Sequence, residues 1–256
     1  MKPRPLLRYH GGKWMLAPWI ISHFPEHRVY TEAFGGGASV LLRKERSYAE
    51  IYNDLAGEIV NVFRVLRNNP EGLRSRLLLT PFARAEYVAA YEQTGDLVER
   101  AARTIMKSFM GYGSDSIFRK SGFRANSNRS GTTPAHDWAN FPKVLNFFIQ
   151  RLSGVVLEER AAAEVILAHD SPTTLHYVDP PYLHSTRSSR KAYRHEMSDE
   201  DHRKLALLLR EAQGKVIISG YPSDLYEEIY SGWRRVERAS LADGARRRVE
   251  VLWMNF

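Results

Sequence analysis

The eight residues Leu-His-Tyr-Val-Asp-Pro-Pro-Tyr at positions 175–182 join a short apolar run to an acid, two prolines and an aromatic residue. The run Leu175–Val178 predicts a buried strand, because it is short, apolar and bounded by turn residues. The tetrad Asp179–Tyr182 then predicts a rigid turn at the end of that strand, since proline fixes φ and removes a backbone donor. A turn that offers acceptors beside an aromatic ring suits an amino group carried by a planar heterocycle.

A glycine turn follows an earlier strand. His27–Tyr30 predicts a short buried strand, and Gly35–Gly37 come after it, where the lack of side chains lets the backbone approach a ligand. We predict a helix over Ala38–Arg43 and a second strand over Ser47–Tyr52, after which Asp54 can hold both hydroxyls of a ribose. This order is typical of the front half of a nucleotide-binding α/β unit. No P-loop lysine–serine pair follows the glycines, so a nucleoside triphosphate is not the expected ligand.

The segment between these two motifs has a different pattern. Helical spacing of apolar residues runs from Glu58 to about Tyr91 and again over Leu97–Met110. Gly111–Pro142 is polar and contains several glycines, which predicts loops or a hairpin and not core. We therefore predict a mostly helical domain at residues 57–145, inserted into a discontinuous α/β domain formed by residues 1–56 and 146–256.

Strands and helices alternate again after the insertion. Besides the strand that carries the tetrad, we predict strands at Gly154–Leu157 and Lys215–Ser219, helices at Ala161–Leu167, Ser198–Ala212 and Ser223–Ser231, and a final antiparallel pair at Trp233–Arg238 and Arg248–Trp253. This alternation is typical of an α/β fold.

Composition narrows the class of protein. The chain has 256 residues, 43% of them hydrophobic, and a formal net charge of +8, which favours a polyanionic partner. It contains no cysteine, which excludes disulfides, thiolate zinc sites and a cysteine nucleophile. His184 and His195 lack metal-ligand spacing, so no metal site is predicted. No signal-peptide pattern or membrane-length apolar run is present, and we expect a soluble, cytoplasmic protein without a membrane partner.

Four motifs together resemble the D12 class of adenine-specific DNA methyltransferases, the class that includes the Dam enzymes. They are Tyr9–Lys13, Tyr30–Val40, Ile51–Asp54 and the tetrad Asp179–Tyr182, in the family's order and at its spacings. The resemblance runs from about Tyr9 to Phe256 and is weakest in the middle. One departure is Ala38, where the family's Phe-x-Gly-x-Gly signature has glycine. The resemblance implies a Rossmann-like sheet that uses S-adenosylmethionine, split by a mostly helical target-recognition domain.

The resemblance also implies roles for individual residues. Asp179 and the Pro180 carbonyl would accept hydrogen bonds from the N6 amino group of adenine, and Tyr182 would stack on the base after it leaves the duplex. Methyl transfer is then a direct in-line displacement that needs no metal. The predicted catalytic residues are Asp179, Pro180, Pro181 and Tyr182. The predicted S-adenosylmethionine-binding residues are Tyr9, Lys13, Glu32, Phe34, Gly35, Gly36, Asp54 and Asp179.

Within that set, Tyr9 and Lys13 are expected at the methionine end of the cofactor and Asp54 at its ribose. Glu32 is either a further polar contact or an ordinary acid at the end of a strand. Family members carry an acid or amide for the cofactor's adenine at the place where this chain has Glu158–Ala162, and the residue that serves there stays open.

Basic, amide and aromatic side chains predict the contacts with double-stranded DNA. They lie in the insertion or in the basic loop after the tetrad: Lys107, Tyr112, Arg119, Lys120, Arg124, Asn126, Asn128, Arg129, Arg187 and Tyr193. Arg246–Arg248 predicts a basic turn instead. Two alternatives stay open, namely N6 methylation of adenine in RNA and a DNA-binding module without turnover. The sequence does not determine the recognition site, a partnership with a nuclease, or the choice between a monomer and a homodimer.

Overall fold

The computed structural model describes residues 4–126, 131–187, 194–242 and 246–256. Three residues predicted to bind DNA, Asn128, Arg129 and Tyr193, lie outside these ranges. The chain folds into two compact units. The described residues of Met1–Gly12 and Ala56–Ser153 form a helical unit, and those of Lys13–Leu55 and Gly154–Phe256 form a sheet unit.

The sheet unit is built on seven strands. They are β1 (Val29–Glu32), β2 (Ala49–Asn53), β3 (Val155–Glu158), β4 (Thr174–Val178), β5 (Lys215–Gly220), β6 (Arg234–Ala242) and β7 (Arg246–Met254). Their order in the sheet is β3-β2-β1-β4-β5-β7-β6, with β7 antiparallel to both of its neighbours and the remaining pairs parallel. The predicted α/β sheet and its final antiparallel pair are therefore confirmed.

Nine helices accompany these strands in the described ranges. They are α1 (Ala17–Ile21), α2 (Gly57–Asn68), α3 (Pro70–Leu78), α4 (Arg84–Ala89), α5 (Leu97–Met110), α6 (Pro134–Leu152), α7 (Ala162–His169), α8 (Asp199–Arg210) and α9 (Asp224–Ile229). Helix α8 opens with the expected capping box, in which Ser198 and Asp201 each accept a hydrogen bond from the other's backbone amide. None of the helices in the described part of the chain combines the length and apolar composition needed to cross a bilayer.

The central strands are buried on both faces, as parallel strands covered by helices must be. All five residues of β4 are buried, and so are five of the six residues of β5. The apolar cluster includes Val178, Leu205, Ile218, Tyr226 and Trp253, which come from three strands and from α8 and α9. This packing holds the end of β4, from which the tetrad leaves.

The register aligns the carboxyl ends of the central strands. Glu32 at the end of β1 pairs with Tyr52 of β2 on one side and with Tyr177 of β4 on the other. After β1 the chain continues to β2, whereas β4 lies on the opposite side of β1, so the order reverses at this point. Ligands of open α/β sheets bind at such a switch point, beyond the carboxyl ends of the strands.

Helix α6 corrects one prediction, because Gly111–Pro142 was expected to form loops or a hairpin. The helix instead begins at Pro134, with Thr133 as its N-cap, and continues through Pro142. Proline at the first helical position loses no hydrogen bond, whereas an interior proline does. Burial of Trp138, Phe141 and further apolar residues along one face of α6 offsets that loss.

Two shorter predictions are also wrong. Residues 38–43 form turns and no regular helix. Ala38 has φ of 50°, and the Leu41 amide donates to the Glu32 side chain instead of to a carbonyl one turn earlier. Arg246–Arg248 begin strand β7, where they pair with β6, and do not form a turn.

Candidate active site

Asp179 follows β4, and its side chain is held by donors from two directions. The Ser219 hydroxyl, on the neighbouring strand β5, lies 2.7 Å from Oδ1 of Asp179. The Lys13 ammonium lies 2.9 Å from the same oxygen. Because Ser219 belongs to a fully paired strand, the carboxylate is fixed against the sheet. Both of these donors meet Oδ1, at the edge of the sheet where the tetrad begins.

Tyr182, the last residue of the tetrad, is only 5% exposed. Its hydroxyl donates a hydrogen bond to Glu250 of β7. The Lys13 ammonium lies 4.6 Å from the centroid of the Tyr182 ring, within the range of a cation–π interaction. Tyr221, just after β5, packs against the ring at 76° with a centroid separation of 4.7 Å. The orientation of the ring is thus set by its hydroxyl and by two neighbouring side chains.

Glu250 is a member of this site that was not among the predicted residues. It is 2% exposed, and its Oε1 lies 3.6 Å from Nζ of Lys13. Burial raises the pKa of Glu250, and the nearby Asp179 carboxylate raises it further, while the Lys13 ammonium opposes both effects. The one available sequence signal is an acid inside the apolar strand Val249–Trp253, just as Ser219 is a polar residue inside an apolar strand.

The glycine turn after β1 is fastened to the end of β2. The Gly36 amide donates to Oδ2 of Asp54 at 2.7 Å, and the Tyr52 hydroxyl donates to the Gly36 carbonyl at 2.8 Å. The Gly35 amide donates to the Asn53 carbonyl at 2.7 Å. Asp54 is therefore part of the turn itself, and the glycine backbone stands directly beside its carboxylate.

Glu32 is buried inside the same turn. Its carboxylate accepts hydrogen bonds from the Tyr30 hydroxyl at 2.9 Å and from the Leu41 amide at 2.8 Å. Burial raises the pKa of Glu32 to about 8, and the two hydrogen bonds only partly offset this effect. Through these two contacts Glu32 links the end of β1 to the backbone at Leu41. Phe34 is half-buried and packs against the apolar cluster under the sheet.

The sheet unit thus contains most of the predicted catalytic and cofactor residues. The Lys13 ammonium contacts both Asp179 and Tyr182. Phe34 and Gly36 belong to the turn after β1, to which Asp54 is bonded. Tyr9 belongs to the helical unit, where its ring meets Phe118 edge-on at 6.3 Å.

The residues predicted to contact DNA differ in their exposure and in their contacts within the protein. Tyr112, Arg119, Lys120 and Asn126 are exposed on the loop after α5. This loop is tied to the helices by the Tyr91 hydroxyl, which donates to the Ser116 carbonyl at 2.6 Å.

Lys107 and Arg124 belong to the same helical unit. The Lys107 ammonium lies 5.5 Å from the centroid of the Tyr91 ring, and Arg124 donates to the Phe109 carbonyl at 3.0 Å. The Arg187 side chain, after the tetrad, is 6% exposed and donates to both carboxylate oxygens of Glu196 at 2.6 and 3.2 Å. Its guanidinium is therefore occupied within the protein.

A sheet of this order is consistent with a Rossmann-like methyltransferase fold, and the glycine turn after β1 and the Asp-Pro-Pro-Tyr turn after β4 lie at its carboxyl edge. A model of the family "D12 class N6 adenine-specific DNA methyltransferase" matches residues 9–243. The chain is also 29% identical, over 257 aligned positions, to Type II methyltransferase M1.LlaDCHI from Lactococcus lactis subsp. cremoris. That alignment covers 89% of this chain and 84% of the relative. The chain belongs to the D12 class family and is an adenine-specific DNA methyltransferase.

Proposed function

We propose that this enzyme moves a methyl group from S-adenosylmethionine to N6 of an adenine that has been turned out of double-stranded DNA. The observation that carries the proposal is the placement of Asp179, Lys13 and Tyr182, which form a half-buried acceptor beside a buried aromatic ring. The base must leave the duplex because its amino group is otherwise paired and stacked.

The turn after β1 fits the proposed cofactor. A Cβ atom on Gly35 would lie 2.2 Å from the Tyr52 ring, so the backbone approaches its neighbours as only glycine allows. The Asp54 carboxylate stands at the end of the adjacent strand, where an acid binds ribose hydroxyls in nucleotide-binding sheets. When bound, S-adenosylmethionine supplies a methyl group on a positively charged sulfur. We assign the ribose to Asp54 and one wall of the pocket to Phe34, while Tyr9 stays a prediction from the resemblance.

The protein has to make a weak nucleophile reactive. The lone pair of adenine N6 is delocalised into the ring, and hydrogen bonds from the amino group to two fixed acceptors favour a pyramidal nitrogen. We assign these acceptors to the Pro180 carbonyl and to Oδ2 of Asp179, since Ser219 and Lys13 meet Oδ1. Asp179 and Pro180 would hold N6 for attack on the methyl group. S-adenosylmethionine, when bound, would supply that group and leave as neutral S-adenosylhomocysteine, and the proton lost from N6 would pass to solvent. The contribution of the protein is mainly orientation.

We further propose that the helical unit reads the DNA. The exposed loop after α5 carries Arg119, Lys120 and Asn126, which combine cations for phosphates with an amide for base edges. The Tyr91 hydroxyl, through its bond to Ser116, supports this loop. We do not assign a DNA contact to Arg187, because its guanidinium is bound to Glu196.

The test is sequencing, with detection of modified bases, of DNA from a host that lacks adenine methylation of its own. Three proteins are expressed: the wild type, Asp179→Ala, and Asp224→Ala as an exposed control in the same unit. We expect N6-methyladenine in one short motif with the wild type and the control, and none with Asp179→Ala. Methylation that survives in Asp179→Ala would contradict the assigned site. Unmodified DNA with folded wild type would contradict DNA as the substrate.

A further inference from the structure

Glu250 is a buried acid to which the proposed function gives no role. It lies on β7, and its neighbour Val251 pairs with Gly220 at the end of β5, which brings Glu250 to the edge of the sheet that carries the tetrad. A carboxylate with 2% exposure needs partners, because an isolated buried charge is strongly unfavourable. Its described partners are the Tyr182 hydroxyl and the Lys13 ammonium.

Both of these partners belong to the site of methyl transfer. Tyr182 is attached to the backbone at a turn stiffened by two prolines, and its other end is bonded to Glu250. A ring that is held at Cβ and at its hydroxyl has its long axis fixed, although the ring can still rotate about that axis. Tyr221 limits this rotation from the side, at 4.7 Å. Glu250 therefore fixes the axis of the ring on which the proposed adenine stacks, and Tyr221 and Lys13 limit rotation about that axis.

Lys13 connects Glu250 to Asp179. Its ammonium is 2.9 Å from Asp179 and 3.6 Å from Glu250, so two carboxylates share one cation. Without the charge of Glu250, the ammonium would be drawn wholly to Asp179. That stronger pairing would compete with the adenine amino group for the Asp179 carboxylate.

We infer that Glu250 is a positioning residue for methyl transfer, which fixes the long axis of the Tyr182 ring and divides the Lys13 ammonium between two carboxylates. The inference rests on the proposed function, in which Tyr182 stacks on the base and Asp179 accepts from N6. Glu250 itself touches neither the base nor the methyl group in this mechanism. It acts through Tyr182, which stacks on the base, and through Lys13, which pairs with the Asp179 carboxylate.

The first experiment compares single-turnover methylation by the wild type, Glu250→Gln, Glu250→Ala and Glu237→Gln. Glu237 is an exposed acid on β6, which makes it a matched control. Glutamine retains an oxygen for the Tyr182 hydroxyl but not the charge, whereas alanine removes both. We expect the rate at saturating DNA and cofactor to fall about tenfold in Glu250→Gln and about 100-fold in Glu250→Ala, as for a misplaced reacting group. The KM values should change less than the rate, and Glu237→Gln should match the wild type.

A double-mutant cycle with Tyr182→Phe separates positioning from general stability. If Glu250 acts through the Tyr182 hydroxyl, the fold-decrease in rate of the double variant will be smaller than the product of the fold-decreases of the two single variants. Urea unfolding of the wild type, the two single variants and the double variant measures the coupling of the two residues in stability alone. A stability coupling with independent effects on rate would overturn the inference and leave a structural role. A rate for Glu250→Gln within twofold of the wild type would overturn it as well.

The two proposals fail in different ways. If the folded wild type methylates no DNA, the proposed function is wrong and the inference falls with it. If the wild type methylates DNA and both Glu250 variants keep its rate, only the inference is wrong.

Discussion

Replacement of Gly35 by alanine tests the glycine turn most directly. A Cβ atom at this position would lie 2.2 Å from Cε2 and 2.5 Å from Cδ2 of Tyr52, and 3.0 Å from the Asn53 carbonyl oxygen. The Tyr52 ring is fully buried, and its hydroxyl is bonded to the Gly36 carbonyl at 2.8 Å. The ring cannot retreat from the new methyl group without giving up that hydrogen bond. Gly35 has no positive φ, so the effect is steric and not one of backbone strain.

The expected loss of stability combines two effects, which are overpacking by the new methyl group and loss of the Tyr52 hydrogen bond. Forcing an extra methyl group into a packed interior costs about 1 to 3 kcal/mol, and loss of the Tyr52–Gly36 hydrogen bond adds about 1 kcal/mol. We therefore expect the free energy of unfolding to fall by about 2 to 4 kcal/mol. That loss is smaller than the stability of an ordinary domain, so the variant remains folded and its ligand binding can be measured.

Urea unfolding and titration calorimetry with S-adenosylmethionine measure the two consequences. The control is Gly95→Ala, because a Cβ atom there has no neighbour within 4 Å. We expect Gly35→Ala to bind the cofactor at least about tenfold more weakly, equivalent to about 1.4 kcal/mol, and Gly95→Ala to bind like the wild type. In combination with Tyr52→Ala, the Gly35 substitution should destabilise less than it does alone. If Gly35→Ala matched Gly95→Ala in both measurements, the steric argument would be refuted.

Two further outcomes are expected. The pKa of Glu32 is about 8 in the folded protein and near 4.5 in the unfolded chain, so folding favours its protonated form, and the wild type should lose stability as pH rises from 4.5 to 8. Glu32→Gln should flatten this part of the profile in urea unfolding, and a profile unchanged by the substitution would contradict the shift. Lys120→Gln on the exposed loop after α5 should lower the salt dependence of DNA binding by about one unit of slope. The exposed Lys204→Gln on α8 serves as the control, and an equal slope for both variants would remove Lys120 from the proposed DNA surface.

The central strands could be predicted because their residues alone determine them. A parallel strand covered on both faces is a continuous apolar run, as in Leu175–Val178, and its end is marked by prolines or glycines. The same property places the tetrad and the glycine turn at the ends of their strands. The local sequence is sufficient to predict a strand that is buried on both faces, because most positions in such a strand require an apolar residue.

The errors arose where a side-chain or tertiary contact overrides a local preference. Ala38–Arg43 has helix-favouring residues, yet the Glu32 carboxylate takes the Leu41 amide out of the local hydrogen-bond pattern. Helix α6 continues through Pro142 because its apolar face is buried in the helical unit. The partners of α6 are too far away in sequence to be seen in a local window. Glu32 is only nine residues from Leu41, but its side-chain hydrogen bond leaves no mark in a pattern of apolar residues.

Glu250 shows why part of an active site escapes sequence reasoning. It meets Tyr182 across 68 residues of sequence, and only because β7 runs antiparallel beside β5 does it reach the end of β4. An acid within an apolar strand ordinarily points to solvent, since alternate residues face opposite sides. Here the partners, Lys13 and Tyr182, come from the start of the sheet unit and from the tetrad. The role proposed for Glu250 therefore depends on the strand order, and it can be argued only once the sheet is known.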